Sequence, residues 1–256
     1  MKSVMAKNEL VKWTLSSILV ILGVFVLIRL GFWQLDRLEQ RRKFNDHYLK
    51  QISAKPIDLN VQPIPMGLED MEYREIFVSG YYDFENEIYL QNQAYQNEPG
   101  YRVVTPLRID NSELAVFVER GWISFTDIEN MSEINGKFNQ KQTIHGIIRN
   151  PESNDKILKS ETSTDNQQNL YLYVDINSLQ LKTDYDLLPI YIQQKGERDN
   201  GKPIPQIAEI EISEGPHFGY AIQWFFFASL LGFGYPFFVR KQLNEKNRES
   251  GNEENI

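Results

Sequence analysis

The chain has 256 residues, enough for one ordinary domain with additional segments. Its net charge is −8 and no basic stripe runs through its middle, so we expect no nucleic-acid partner. It contains no cysteine, which excludes disulfides, thiol nucleophiles, Cys-ligated zinc and thiolate-based copper sites.

Two long apolar segments stand out against a mean hydropathy of −0.44. Residues 13–34 carry a single charge, Arg29, and residues 218–239 carry none. Each is about as long as a helix must be to cross roughly 30 Å of hydrocarbon. No small-residue cleavage site of a signal peptide follows the first segment, and no Arg-rich transit sequence precedes it. The sequence therefore predicts two uncleaved transmembrane helices, at 13–35 and 215–239.

Charges around the second span set the expected orientation. Glutamates precede this span, whereas Arg240, Lys241, Lys246 and Arg248 follow it, so the positive-inside rule places the C-terminus in the cytoplasm. Basic residues lie on both sides of the first span, so the orientation in the membrane is assigned from the second span. We expect cytoplasmic tails at 1–12 and 240–256 and an extracytoplasmic domain at 36–214, in a bacterial plasma membrane.

The segment between the spans is typical of β structure. Runs rich in aromatic and β-branched residues are separated by turn signals, such as those at 97–100, 110–113 and 133–137. The runs are 73–83, 87–95, 101–109, 113–123, 141–150, 170–176 and 188–196. Their even spacing favours a mainly antiparallel barrel or sandwich over βαβ units. Residues 36–54 are expected to extend the first span as a helix, and the polar residues 152–169 to form a flexible excursion.

Common catalytic motifs are missing from the sequence: it has no P-loop, no dinucleotide fingerprint, no HExxH and no GxSxG. Its three histidines, His47, His145 and His217, are too few for a His-rich metal site. We expect His145 to be a half-buried strand residue and His47 to lie on a solvated helix face. No carboxylate pair is marked out as an acid/base couple, so we expect no enzymatic activity.

Small and aromatic side chains share one face of the second span with a histidine at its mouth. These residues are His217, Tyr220, Ala221, Trp224 and Ala228. An imidazole at that depth can be an axial haem ligand, with the macrocycle along the apolar face. The same pattern suits an aromatic belt and close packing of the two spans, with Gly23 and Gly31 facing the alanines. The residues alone leave both interpretations open.

Four stretches follow one another along the chain: GFWQLDRLEQRRK (31–43), YRVVTPL (101–107), VFVERGWI (116–123) and HFGYAIQWFFFA (217–228). In this order, on a chain with two spans, they resemble the Surf1/Shy1 family of cytochrome c oxidase assembly factors. The resemblance implies a membrane protein with a β-rich extracytoplasmic domain. It also implies uptake of haem a and its delivery to subunit I of haem-copper oxidases, with haem A synthase as a further partner. Gly215 and Pro216 depart from the family's Asn-rich pattern, and Ser124 stands where a proline is usual.

The resemblance also implies site residues. His217 takes the position of the family's candidate haem ligand, and Tyr220 and Trp224 follow it on the same face. The end of the first span contributes Trp33, Gln34 and Arg37, and the Arg-Gly-Trp motif contributes Arg120 and Trp122. From chemistry alone, the Arg120 guanidinium suits either a haem propionate or a buried carboxylate. Trp33 also suits an interfacial position, and Arg37 a lipid headgroup.

The expected function is that of a respiratory-chain chaperone that binds haem a between its two spans. A scaffold that stabilises an oxidase intermediate without haem is the alternative, since the same aromatic face serves both. A two-span sensor is a weaker alternative, because only about 16 residues follow Arg240, too few for an output module.

Overall fold

The computed structural model describes residues 2–151, 169–196, 201–207 and 210–253, with side chains described between 11 and 245. The chain forms two compact units. One contains the residues up to Asp46 and from Glu211 onward, and the other contains His47–Ile210. Each unit has its own packing.

Two long helices make up the first unit. Helix α1 covers Lys2–Ile52, with its last turns in the second unit, and helix α4 covers His217–Glu253. The predicted helical extension of the first span is confirmed, because α1 continues without a break to Ile52. Both helices are long and apolar enough to cross a membrane, and most of their large apolar side chains face outward. Such a surface suits hydrocarbon better than water.

Small residues lie where α1 and α4 contact each other. Ala221 and Ala228 are 1% and 5% exposed, as the packing interpretation requires of these two alanines. Gly31 lies against the ring of Phe225, where an added Cβ would stand 2.6 Å from the nearest ring carbon. Gly23 similarly faces Leu231. The two glycines therefore meet larger side chains of α4 rather than the alanines, as small residues in membrane helices commonly do.

A closed β-barrel forms the second unit. The strands are β1 (Ile57–Asp58), β2 (Glu75–Tyr82), β3 (Ile88–Tyr95), β4 (Glu98–Ile109), β5 (Leu114–Ser124), β6 (Gln142–Arg149), β7 (Leu170–Tyr171) and β8 (Asp186–Gln194). Five of them close in the order β2–β6–β8–β5–β4, because β4 also pairs with β2. The predicted barrel-like, mainly antiparallel domain is confirmed. All seven predicted runs contain a strand, although 170–176 contributes only two strand residues.

One pairing in the barrel is parallel, between β5 and β8. The strand β5 is buried along nearly its whole length, as expected for a strand with neighbours on both sides and a filled interior. Aliphatic side chains from the barrel strands fill that interior, among them Ile76, Val78, Leu107, Ile148 and Ile190.

Short helices complete the second unit: α2 (Met131–Gly136) and α3 (Ile176–Gln180), with 3-10 turns at Leu68–Met71, Phe84–Asn86 and Asp127–Asn130. The predicted turn at 133–137 is wrong in type, because α2 occupies most of it and buries Met131 and Ile134. The polar segment 152–169 lies outside the described residues except for Asn169.

Candidate functional site

Helix α4 begins at His217, directly after the chain reverses at Gly215. Gly215 has φ +67°, the left-handed conformation that glycine adopts without steric cost. The Pro216 carbonyl then accepts the first hydrogen bond of α4, from the Tyr220 N–H at 3.1 Å. The Gly-Pro pair therefore fixes where the helix starts and places the His217 side chain on the first turn.

The His217 imidazole is held by a residue of the other helix. Its Nδ1 lies 2.9 Å from Oε1 of Gln34. An amide oxygen only accepts hydrogen bonds, so Nδ1 is the donor, and in the neutral imidazole Nε2 then keeps its lone pair. Within the described part of the chain, Nε2 has no hydrogen-bond partner. The arrangement leaves one basic ring nitrogen uncommitted at the aqueous end of an apolar helix.

The edge of the ring that carries Nε2 is also left free by Gly215. A Cβ added to Gly215 would stand 3.4 Å from Nε2 and 3.3 Å from Cδ2 of His217. A side chain there would compete for space with anything bound to Nε2. Glycine therefore serves both the backbone turn and the access to the imidazole.

Polar side chains of α1 hold the segment before α4 in place. Arg41 Nε and Asn45 Nδ2 donate to the Ser213 carbonyl at 3.1 and 3.2 Å. Arg42 donates two hydrogen bonds to the carboxylate of Glu214, each at 2.9 Å. These bonds, followed by the charge of Arg42, lower the pKa of Glu214. The two helices are thus joined next to His217 by a group of directed hydrogen bonds.

The remaining predicted site residues of this unit lie at its surface. Tyr220 is 48% exposed and Trp224 is half-buried on the His217 face. Trp33 is 50% exposed, and the guanidinium of Arg37 lies over its ring, 5.8 Å from the centroid. The structure therefore brings together four of the predicted site residues in two pairs that the sequence did not indicate, His217 with Gln34 and Trp33 with Arg37.

The Arg-Gly-Trp motif lies in β5 of the barrel, at a β-bulge. Val103 of β4 pairs with Gly121, whereas the next residue, Val104, pairs with Glu119. Arg120 is the extra residue, and such a bulge redirects the side chain of the residue it contains.

Arg120 is 3% exposed and forms a buried ion pair. Its Nη1 donates to Glu87 Oε2 at 2.9 Å and to Asn135 Oδ1 at 2.7 Å. Aromatic rings surround the guanidinium at 4.8 to 5.4 Å from its carbon, and they belong to Tyr82, Phe84 and Phe138. Of the two partners that the sequence allowed for Arg120, the structure contains the buried carboxylate.

The other two residues of the motif bind a later part of the chain. Gly121 has φ +138°, and a Cβ there would lie 2.3 Å from the Ile204 backbone. Trp122, which is buried, exchanges backbone hydrogen bonds with Ile204, both at 2.8 Å. Arg120 and Trp122 are therefore both buried within the second unit.

Sequence reasoning missed the partners that give these motifs their roles. Glu87 lies 33 positions before Arg120, and no local pattern marks it. Arg41 and Asn45 both lie in the predicted helical extension 36–54, but the acceptor they share lies 168 or more positions away. Covariation between distant positions in related sequences is the signal that would have indicated such contacts.

Comparison with known proteins assigns the family. The model of the SURF1 family matches residues 21–229 of the chain. Surfeit locus protein 1 of Xenopus tropicalis is 23% identical over 236 residues, which cover 86% of this chain and 73% of that protein. SURF1-like proteins of Rickettsia prowazekii and Rickettsia bellii are 26% and 24% identical, with 83% and 86% of this chain covered and 85% and 89% of theirs. The chain therefore belongs to the SURF1 family, whose members are known as cytochrome c oxidase assembly factors.

Proposed function

We propose that the chain takes up haem a as its cargo through His217 and assists its insertion into subunit I of a haem-copper oxidase. The observation that carries this proposal is the state of the His217 ring, whose Nδ1 is occupied by Gln34 and whose Nε2 is uncommitted. A neutral imidazole with one nitrogen oriented by a hydrogen bond is the usual form of a metal-ligating histidine. The protein acts without catalytic turnover.

The surroundings of His217 fit a large apolar cargo that carries iron. Imidazole is a common axial ligand of haem iron. Ala221 and Ala228 are buried, so the aromatic surface that remains on this face is that of Tyr220 and Trp224. Aromatic side chains offer flat apolar area for a macrocycle.

We propose that both helices cross the plasma membrane, with both termini in the cytoplasm and the barrel outside. The basic residues after the second span support this orientation. His217 then lies at the outer boundary of the membrane. Haem A synthase is the proposed donor of the cargo.

Haem occupancy of the purified full-length protein tests the proposal. The protein is produced together with a haem A synthase, and its absorbance spectrum and haem a content are measured in detergent. We expect haem a in the wild type and a loss of most of it in His217→Ala. The variants His47→Ala and His145→Ala are matched controls, because they remove the other two histidines, and they should keep their haem.

Two results would overturn the haem proposal. One is full haem occupancy in a folded His217→Ala variant. The other is a wild-type protein that carries no haem although its deletion lowers oxidase activity, which would instead support a scaffold that acts through protein contacts.

A further inference from the structure

We infer that Gln34 is a positioning residue, which fixes His217 as the Nδ1–H tautomer and so presents Nε2 to the iron of the cargo. The inference rests on the proposed function for the identity of the cargo, but its tautomer claim stands on the apo protein alone. Gln34 itself makes no contact with iron in this account. It acts through the imidazole.

The geometry supports the choice of tautomer. The 2.9 Å separation between Nδ1 and Gln34 Oε1 is that of a normal hydrogen bond. With Oε1 as the acceptor, only the tautomer with a proton on Nδ1 can form it. The opposite tautomer would place a lone pair against the amide oxygen and a proton on the nitrogen that must bind iron.

Contacts between α1 and the chain around α4 lie on both sides of the pair. One turn before Gln34, Gly31 lies against the Phe225 ring, where there is no room even for a methyl group. One turn after it, Leu38 is buried. On the side of His217, Ser213 is bound by two side chains of α1. Because contacts lie on either side of the pair, the amide and the imidazole are already positioned to form their hydrogen bond.

A neutral acceptor suits this location. A carboxylate here would orient the imidazole in the same way, but it would add a charge where α1 enters the apolar region, and charges there are costly. The amide provides the orientation without that cost. The role therefore predicts that glutamate can replace glutamine in orienting the ring, whereas leucine, of similar size and without an acceptor, cannot.

The first test reads the tautomer in the absence of haem. Full-length protein labelled with [15N]histidine is studied by NMR in detergent, in a buffer alkaline enough to keep imidazole neutral, and the His217 signals are assigned by their loss in His217→Ala. We expect a protonated Nδ1 and an unprotonated Nε2 in the wild type and in Gln34→Glu. In Gln34→Leu we expect a mixture of the two tautomers. Gln223→Leu is the control, since Gln223 is exposed on α4.

The second test measures binding, with ferric haem b as the probe. Loss of an outer partner typically weakens a metal site about 10- to 100-fold, so Gln34→Leu should bind that much more weakly than the wild type. Gln34→Glu should restore binding to within a few-fold of the wild type, and Gln223→Leu should not change it.

The two tests separate the failure of this inference from that of the proposed function. A wild-type His217 protonated on Nε2, or a Gln34→Leu variant with an unchanged tautomer and unchanged affinity, overturns the role of Gln34. A protein that shows the expected tautomers in all variants but binds no haem confirms the orientation of the ring by Gln34 and contradicts the proposed function instead.

Discussion

Removal of the Glu87 side chain should lower the free energy of unfolding of the barrel domain. Its carboxylate accepts four hydrogen bonds, from Arg120 Nη1 at 2.9 Å, Thr105 Oγ1 at 2.6 Å, Tyr89 OH at 2.8 Å and Asn135 Nδ2 at 3.1 Å. The side chains of Glu87 and Arg120 are 3% and 2% exposed. Glu87→Ala therefore leaves a buried guanidinium without a counter-charge.

Breaking a buried ion pair from one side costs about 3–5 kcal/mol in free energy of unfolding. For a domain of this size each kcal/mol lowers Tm by about 2–4 °C, so we expect a decrease of about 6–20 °C. Near-ultraviolet circular dichroism of the full-length protein in detergent, recorded during heating, follows the loss of packing around the buried aromatic residues.

Asp184→Ala is the matched control, because it also removes a carboxylate from an arginine pair. The Asp184 side chain is 84% exposed and its partner, Arg108, is 53% exposed. An exposed pair contributes about 1 kcal/mol or less. If Glu87→Ala and Asp184→Ala lowered Tm equally, Arg120 would not depend on Glu87 in the way described, and a role of Arg120 toward the cargo would have to be reconsidered.

Two further predictions concern access to His217 and the acid stability of the barrel. Gly215→Ala should reduce haem occupancy while leaving the protein folded, because the added Cβ would stand 3.4 Å from Nε2 of His217. Unchanged occupancy in the absorbance spectrum would show that Gly215 is not needed for access to this nitrogen. Burial raises the pKa of Asp83, but hydrogen bonds, chiefly those from Asn86 and Tyr185, outweigh it, so the net pKa is lowered. Asp83 thus adds stability that is complete above its unfolded pKa of about 3.9 and is lost as the pH falls through the folded value. Denaturant unfolding of Asp83→Asn should show a shallower loss of stability in this acid range than the wild type, and equal slopes would refute the assignment.

Features of the fold that depend on neighbouring residues could be predicted from the sequence. The two apolar helices, the extension of α1 and the positions of the strands all follow from composition and periodicity over one or two dozen residues. The spacing of the strands predicted a mainly antiparallel barrel or sandwich, and the structure shows that it is a barrel. The parallel pairing of β5 with β8 did not, because it joins strands that are far apart along the chain, and period-2 alternation is the same in both kinds of pairing.

The same limit applied at the candidate site. The position of His217 at the mouth of a helix and the small residues that pack α1 against α4 were visible in the sequence. The contact between Gln34 and His217 spans 183 positions, and the pair of Arg120 with Glu87 spans 33 positions and involves a residue at the bulge in β5. Such pairings depend on strand register and helix packing, which no local pattern encodes.

The most direct test of the central claim is the haem a content of the terminal oxidase in membranes of a strain that lacks this protein. The wild-type gene should restore that content, whereas His217→Ala, present in the membrane at the same level, should leave the oxidase largely without haem a. Full restoration by His217→Ala would show that oxidase assembly does not pass through this histidine.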